Sequence, residues 1–143
     1  MKKKASLALI EQVIMILVFA MAAALCLQAF ALADRLSREN EDRDRAVVLA
    51  QNAAEVCGAV GGDGVLLAGK LGGFAVAEGW TAFFGEDLRE TSKEESACRV
   101  EVTRQATECS GLGRARVCVY AAGNGKLLFE LPVAWQEEAE RCG

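Results

Sequence analysis

The sequence predicts an α+β fold in which one long N-terminal helix packs on a small antiparallel sheet. Glycine and proline are absent from Met1 to Cys57, whereas all 14 glycines and the single proline lie after Cys57. A single helix from about Leu7 to Cys57 is expected, because this stretch lacks the two residues that most disfavour helix interiors. Much of the remaining chain alternates apolar and polar residues with a period of two, which is typical of half-buried strands.

The first part of the predicted helix has the composition of a membrane-spanning segment. Residues 7–33 contain only three strongly polar side chains, Glu11, Gln12 and Gln28. A bilayer core requires about 20 consecutive apolar residues in a helix, and residues 13–33 meet this with one glutamine, Gln28. Lysines occupy positions 2–4, and positive charge beside a first span is retained on the cytoplasmic side. The sequence therefore predicts a single-pass membrane protein with its N-terminus inside and its C-terminal domain outside.

The start of the chain resembles the N-terminus of type IV pilins and pseudopilins. In that family a short basic leader precedes a cleavage site, and the fifth mature residue is a glutamate within a Leu-Ile-Glu core. Residues 5–11 of this chain read Ala-Ser-Leu-Ala-Leu-Ile-Glu. Placing Glu11 fifth makes Leu7 the first mature residue and Ser6 the residue before the cut. Ser6 and Leu7 stand where the family usually has Gly and Phe.

The resemblance implies a pilin-like organisation in four parts. These are a basic leader peptide (1–6), a transmembrane and assembly helix (7–33), an extracytoplasmic continuation of that helix (34–57) and a small antiparallel β-rich domain (58–143). It also implies cleavage by a prepilin peptidase, N-terminal methylation and partnership with other pilin-like subunits. The implied function is that of a structural subunit of a type IV pilus, or of a type II secretion or competence pseudopilus, in a cell-surface filament.

The role expected of Glu11 follows from its charge. Cleavage after Ser6 would give Leu7 a free α-amino group, which is protonated below about pH 8. A neighbouring subunit could place this amine against the Glu11 carboxylate, and a subunit out of register would leave one charge unpaired. The pair would then set the stagger of subunits. Alternatively, Glu11 lies near the cytoplasmic end of the span and is simply tolerated there.

The helix outside the membrane segment divides into two stretches. Residues 34–45 have one large apolar side chain, Leu36, and acid–base pairs four residues apart, which support an exposed helix by about 0.2–0.5 kcal/mol each. The expected pairs are Asp34–Arg38, Glu39–Arg43 and Glu41–Arg45. The following stretch has small and apolar residues at helical spacing, which predicts a face that packs on the sheet. These residues are Ala46, Leu49, Ala50, Ala53, Ala54 and Cys57.

Three strands are predicted in the C-terminal half, at residues 98–103, 114–120 and 126–135. Gly123-Asn124-Gly125 marks a hairpin between the last two. Pro132 places the last strand at an edge of the sheet, because proline cannot donate to a strand ladder. Residues 80–84 indicate a fourth strand. Residues 65–77 are interrupted by glycine and fit either a short helix or an irregular connection.

Five of the six cysteines lie outside the membrane segment: Cys57, Cys98, Cys109, Cys118 and Cys142. Disulfides persist in an oxidising exterior, so these are candidates for bridges. An odd number allows at most two bridges within the domain, and the spacing does not give their connectivity. Cys142 is the best candidate for fixing the C-terminus. A zinc site is disfavoured, because the chain has no histidine and no Cys-x-x-Cys pair.

Composition and motifs favour a non-enzyme without cofactors. The chain lacks histidine, the usual general base, and has no Gly-x-Ser-x-Gly, P-loop or dinucleotide motif. Residues 34–143 carry 13 Lys and Arg against 19 Asp and Glu, a net charge of −6. Direct nucleic-acid binding is not expected, since it requires a clustered basic face.

Two alternatives remain open on the sequence. The chain could be an uncleaved single-pass anchor that displays a small binding domain. It could also be a secreted domain cleaved after Ala33, because Ala31-Leu32-Ala33 fits the small-x-small rule of signal peptidases. Against the second alternative, the apolar region is longer than the 7–15 residues usual in signal peptides.

Overall fold

A computed structural model of the protein describes residues 2–137 and, within them, the side chains from Leu7 onward. The described chain divides into two units between Asn40 and Glu41. The helices are α1 (Lys2–Ala59) and α2 (Gly64–Leu71). The strands are β1 (Phe74–Val76), β2 (Gly79–Phe84), β3 (Cys98–Gln105), β4 (Leu112–Ala121) and β5 (Leu127–Gln136). The fold is therefore α+β, as predicted.

Helix α1 confirms the single helix expected from the absence of glycine and proline. Its side chains are exposed over residues 7–44, and one face is buried from Ala46 onward. The buried residues are those predicted from their spacing, except that Ala54 is only partly buried: Ala46, Leu49, Ala50, Ala53 and Cys57. The apolar spacing therefore identified the face of α1 that packs on the sheet.

Two glycines end α1 two residues beyond the predicted stop. The amide of Gly62 donates to the Cys57 carbonyl at 2.9 Å, and Gly61 and Gly62 have φ values of 64° and 73°. Glycine adopts this left-handed conformation without a Cβ penalty, which makes it the usual residue at helix C-termini. A Cβ on Gly62 would also lie 2.6 Å from the Trp135 ring. This turn therefore needs glycine both for its conformation and for close packing.

The ambiguous segment 65–77 forms a short helix followed by an edge strand. The Asp63 carboxylate caps α2 by accepting from the amides of Val65 at 2.8 Å and Leu66 at 3.2 Å. Such a cap satisfies amides that have no partner within the helix. Strand β1 then pairs antiparallel with β2, with Phe74 opposite Thr81.

The sheet is an antiparallel meander in the order β1-β2-β3-β4-β5. All four strands indicated by the sequence are confirmed, and β1 is an addition to them. Strand β5 lies at an edge, which confirms the inference from Pro132. The predicted β4–β5 hairpin is also present, with Gly125 at a φ of 66° and its amide donating to the Ala121 carbonyl at 2.9 Å.

The core of the second unit lies between α1 and the inner face of the sheet. Alternate residues of β2, β3 and β4 are buried there, and Trp80 and Val100 are fully inaccessible to solvent. Each fully buried aliphatic or aromatic side chain stabilises the fold by about 1.5–3 kcal/mol relative to exposure. The opposite, outer face of the sheet carries the remaining side chains of these strands.

Candidate functional site: the apolar helix and the outer sheet face

Helix α1 is long and apolar enough over its N-terminal part to cross a membrane. Its large apolar side chains are exposed throughout this part; Leu9 is 68% exposed and Phe19 is 76% exposed. Such a surface is unfavourable in water, at about 25 cal/mol per Å² of apolar area. The segment therefore has the properties of a surface that is covered by lipid or by other helices.

Glu11 is exposed on this apolar segment. Among the described side chains, none forms an ion pair or a hydrogen bond with its carboxylate. A charged carboxylate in the bilayer is costly, by roughly 2.5 kcal/mol or more at the centre and less toward the ends. A partner for Glu11 is therefore not supplied by the described part of the chain.

The face of α1 that carries Glu11 also carries small residues. At 3.6 residues per turn, Met15, Val18, Ala22 and Ala29 lie close to the line of Glu11. Ala22 and Ala29 continue a row of small residues with Cys26 and Ala33. Small residues allow membrane helices to approach closely, so this face is suited to helix packing.

The two residues of the predicted cleavage site lie at the start of this segment. The backbone of Ser6 and Leu7 is helical, and the Leu7 side chain is 67% exposed. Leu7 lies one turn before Glu11 and on nearly the same face of α1. After the predicted cleavage, the backbone amine of Leu7 would lie at the start of the helix, one turn before Glu11.

The solvated stretch of α1 forms most of the expected ion pairs. Arg38 contacts Asp34 at 3.1 Å, and Arg45 contacts Glu41 at 2.8 Å, as predicted. Glu39 pairs with Arg35 at 3.5 Å and not with Arg43. Both candidate partners are four residues from Glu39, so spacing alone could not decide between them.

The outer face of the sheet carries two ion pairs that were not predicted. Arg99 pairs with Glu101 at 3.0 Å, and Arg116 pairs with Glu130 at 3.2 Å. These side chains are all partly exposed, so each pair contributes at most about 1 kcal/mol. The alternation of charged and apolar residues in β3 and β4 was the signal that could have identified this face.

Cys118 and Tyr120 lie on the same outer face. Burial raises the pKa of the Cys118 thiol. A hydrogen bond with Tyr120 lowers this pKa, and the negative charge of Glu130 raises it further. Burial also raises the pKa of Tyr120, whose ring lies under the Arg99 guanidinium at 4.9 Å. The thiolate is the reactive form of cysteine, so Cys118 is held in its unreactive form near neutral pH.

Cys57 and Cys98 are buried at opposite ends of the helix–sheet interface. Burial raises the pKa of both thiols; Cys57 is influenced by Arg104 near the end of β3, and Cys98 by Asp42 and Arg45. Six residues of strand separate Cys98 from Arg104, or about 20 Å at 3.3 Å per residue. A disulfide requires Cα atoms within about 7 Å, so these two thiols cannot pair.

None of the predicted disulfides is present among the described residues. Cys57, Cys98, Cys109 and Cys118 are all free thiols, and no two of them are within bonding distance. Cys57 and Cys98 act as core packing residues, Cys118 faces the outer side of the sheet, and Cys109 is exposed in the β3–β4 loop. Cys142 lies outside the described residues.

A cleft of about 710 Å³ lies beside the start of α2, between the β1–β2 turn and the end of β3. Its charged lining residues include Asp63, which caps α2, and Arg104, which pairs with Glu137. These groups already have structural partners. Within residues 7–137 no group of three metal-ligating side chains is assembled either.

No protein family, characterised protein or solved structure matches this chain in comparisons of sequence and fold. The function must therefore be inferred from the apolar helix, Glu11 and the domain that follows them.

Proposed function

We propose that this protein is a pilin-like structural subunit that is inserted in the membrane and assembled into a filament through α1. The observation that carries the proposal is the exposed Glu11 carboxylate on an otherwise apolar helix face rich in small residues. In this proposal the basic leader stays in the cytoplasm, and the domain after Asp34 lies outside. The filament is a type IV pilus or a type II secretion or competence pseudopilus.

The physical basis of assembly is the pairing of two charges that are each costly alone. A prepilin peptidase cuts after Ser6 and exposes the α-amino group of Leu7. In the filament, this amine of one subunit neutralises the Glu11 carboxylate of its neighbour. Displacement by one turn of helix, about 5.4 Å, leaves both charges unpaired in an apolar bundle. The ion pair therefore selects one stagger, while the apolar and small side chains provide the contact area.

The mature N-terminus tests this proposal against its two alternatives. We expect the purified protein to begin at Leu7, because the assembly step requires a free amine at that position. Intact-mass analysis of the protein recovered from both the membrane fraction and the extracellular fraction measures this directly. A mature chain beginning at Met1 would instead identify an uncleaved single-pass anchor, and one beginning at Asp34 would identify a secreted domain.

The orientation of the helix can be measured independently of cleavage. A reporter that is active only outside the cytoplasm, fused after Gly143, should be active. Replacing Lys2, Lys3 and Lys4 with Glu should reduce this activity, because the positive charges retain the N-terminus on the cytoplasmic side. As a control, Lys70 and Lys93 in the outer domain can be replaced in the same way and should leave the reporter unaffected. Activity of the fusion only in the cytoplasm would exclude the proposal.

A further inference from the structure

Strand β1 is the less protected of the two edges of the sheet. Among the described residues, β2 is the only strand that pairs with it. Its side chains are all exposed; Phe74 is 51% exposed and Val76 is 46% exposed. An edge strand presents unpaired N–H and C=O groups, which proteins usually protect with proline or charged side chains. The other edge, β5, contains Pro132 and Glu130, whereas β1 has neither kind of residue, so its backbone is open to pairing.

A cleft lies at each end of β1. The cleft of about 710 Å³ described above includes Val76 and Glu78 at the C-terminal end of the strand. A second cleft, of about 470 Å³, lies at the N-terminal end and is lined mainly by Phe74, Phe83 and residues 90–93. The centroids of the two phenylalanine rings are 6.3 Å apart, so this cleft offers an aromatic surface. At about 3.4 Å per residue, an extended segment of about six residues can run along β1 and reach both clefts.

Hydrogen bonds hold the aromatic cleft in place. The Thr91 amide donates to the Phe83 carbonyl at 2.9 Å, and the Gly73 amide donates to the Glu90 carboxylate. These bonds fix the segment after β2 against both β2 and the start of β1. A preformed site loses less conformational entropy on binding than one that must first be ordered, which favours affinity.

The surroundings of β1 are acidic. Residues 63–95, which include α2, β1, β2 and the loop that follows, contain seven Asp and Glu against three Lys and Arg, a net charge of −4. Glu78 is exposed directly after β1, and among the described side chains none forms an ion pair with it. The positive charge of Arg104 in the same cleft is already paired with Glu137. A partner with positive charge at the Glu78 end of β1 is therefore electrostatically complementary to this edge.

We propose that the free edge of β1 binds an extended segment of another protein by strand addition. Main-chain hydrogen bonds to β1 supply affinity, and the two clefts supply specificity. The segment pairs antiparallel with β1, as all neighbouring strands of this sheet do. It therefore places a lysine or arginine at Glu78 and, four residues later, an apolar side chain between Phe74 and Phe83.

A second copy of this chain is a poorer occupant of the same edge. Its own β1 has the same acidic surroundings, so pairing two such edges would bring like charges together. The edge formed by its β5 is interrupted by Pro132, which cannot donate to a strand ladder. The proposal does not depend on cleavage after Ser6 or on filament assembly.

Binding of a synthetic peptide to the full chain tests the proposal. The probe is a fluorescent, capped peptide of sequence Thr-Arg-Thr-Val-Thr-Phe, whose arginine, valine and phenylalanine share one face of a strand. Fluorescence anisotropy is measured with the protein in micelles of a neutral detergent, and empty micelles serve as the blank. We expect saturable binding, and weaker binding of the peptide in which arginine and phenylalanine are exchanged.

Methylation of the peptide's amides tests whether its backbone pairs with β1. Successive amides of a strand point to opposite edges, so only one alternate set can donate to β1. One peptide is methylated at the amides of its arginine, valine and phenylalanine, and another at the amides of its second and third threonines. One of the two should lose binding and the other should retain it. Equal effects of the two modifications would overturn strand addition.

Variants of the protein locate the bound peptide on this edge. Val76→Lys should weaken binding by about tenfold, because an apolar contact is lost and a positive charge is added. Val48→Lys makes the same change at an exposed valine of α1 and should leave binding unaltered. Glu78→Lys should weaken binding by roughly two- to fivefold, the range of an exposed ion pair, and exchanging the peptide's arginine for glutamate should restore it. Glu55→Lys, on the exposed side of α1, is the matched control for this charge reversal.

Two further results would overturn the proposal. One is the absence of saturable binding of the unmethylated peptide to the wild-type protein. The other is self-association of the protein that is lost in Val76→Lys, since the edge would then be occupied by a second copy. Both measurements use the uncleaved or cleaved chain equally well, so they are independent of the outcome for Glu11 and Leu7.

Discussion

Replacing Glu11 with Gln should nearly abolish incorporation of the protein into filaments while leaving its membrane-bound pool intact. The substitution preserves the shape of the side chain and removes its charge. In the proposed filament, the Leu7 amine of the neighbouring subunit would then be buried without a counter-charge. Breaking a buried ion pair in this way costs about 3–5 kcal/mol. At 1.4 kcal/mol per tenfold change, incorporation should fall by roughly a hundredfold to a few thousandfold. The measurement is the ratio of protein in sheared filaments to protein in membranes.

A matched control is the adjacent polar residue. Gln12 is one residue from Glu11 but about 100° away around the helix, so Gln12→Ala should assemble normally. Membrane insertion of Glu11→Gln should be unchanged or slightly better, because a carboxylate has been removed from an apolar segment. Normal incorporation of this variant, with processing after Ser6 intact, would leave the proposed ion pair without a role.

Blocking cleavage tests the other member of the proposed ion pair, the Leu7 amine. A bulky residue at position 6, as in Ser6→Phe, should prevent formation of the Leu7 amine and reproduce the assembly defect. If the amine and Glu11 act as one pair, the double variant should be no worse than either single variant. Independent contributions would instead add. Comparing the two single variants with the double variant therefore distinguishes a specific ion pair from a general loss of helix packing.

The parts of the fold that depend on local sequence could be predicted. The absence of glycine and proline before Cys57 identified α1, and the period-two pattern identified β3, β4 and β5. The buried face of α1 was also predicted nearly in full, because helical spacing alone determines which residues share a face. In each case, a pattern in neighbouring residues was enough to identify the element or its buried face.

The parts that depend on non-local contacts could not be predicted. Strand β1 is three residues long and forms because it pairs with β2, where Phe74 lies opposite Thr81. The distances between cysteines depend on how α1 lies on the sheet, so the spacing could not show that Cys57 and Cys98 are at opposite ends of the core. The partner of Glu11 could not be identified for a related reason: in the proposed assembly it belongs to another molecule.

Replacing Trp80 with Ala should have the largest effect on the stability of the C-terminal domain. Trp80 is fully buried, and its indole Nε1 donates to the Gly72 carbonyl at 2.7 Å, which joins the end of α2 to the sheet. Truncating a buried tryptophan costs about 3–5 kcal/mol, because apolar contacts are lost and a cavity remains. Domains of this size are stable by only about 5–15 kcal/mol, so a large part of the total would be lost.

One further variant separates the contributions of volume and hydrogen bonding at Trp80, and another serves as an exposed control. Trp80→Phe keeps most of the apolar volume and removes the hydrogen bond to Gly72, so it should cost less than the alanine variant, with about 1–3 kcal/mol from the unpaired carbonyl. Val65→Ala alters a side chain that is 71% exposed and should change stability by no more than about 0.5 kcal/mol. Urea unfolding of the full chain in micelles, followed through the fluorescence of Trp135 in the same core, measures all three. Equal stability of Trp80→Ala and Val65→Ala would contradict the stabilising role inferred from the burial of Trp80.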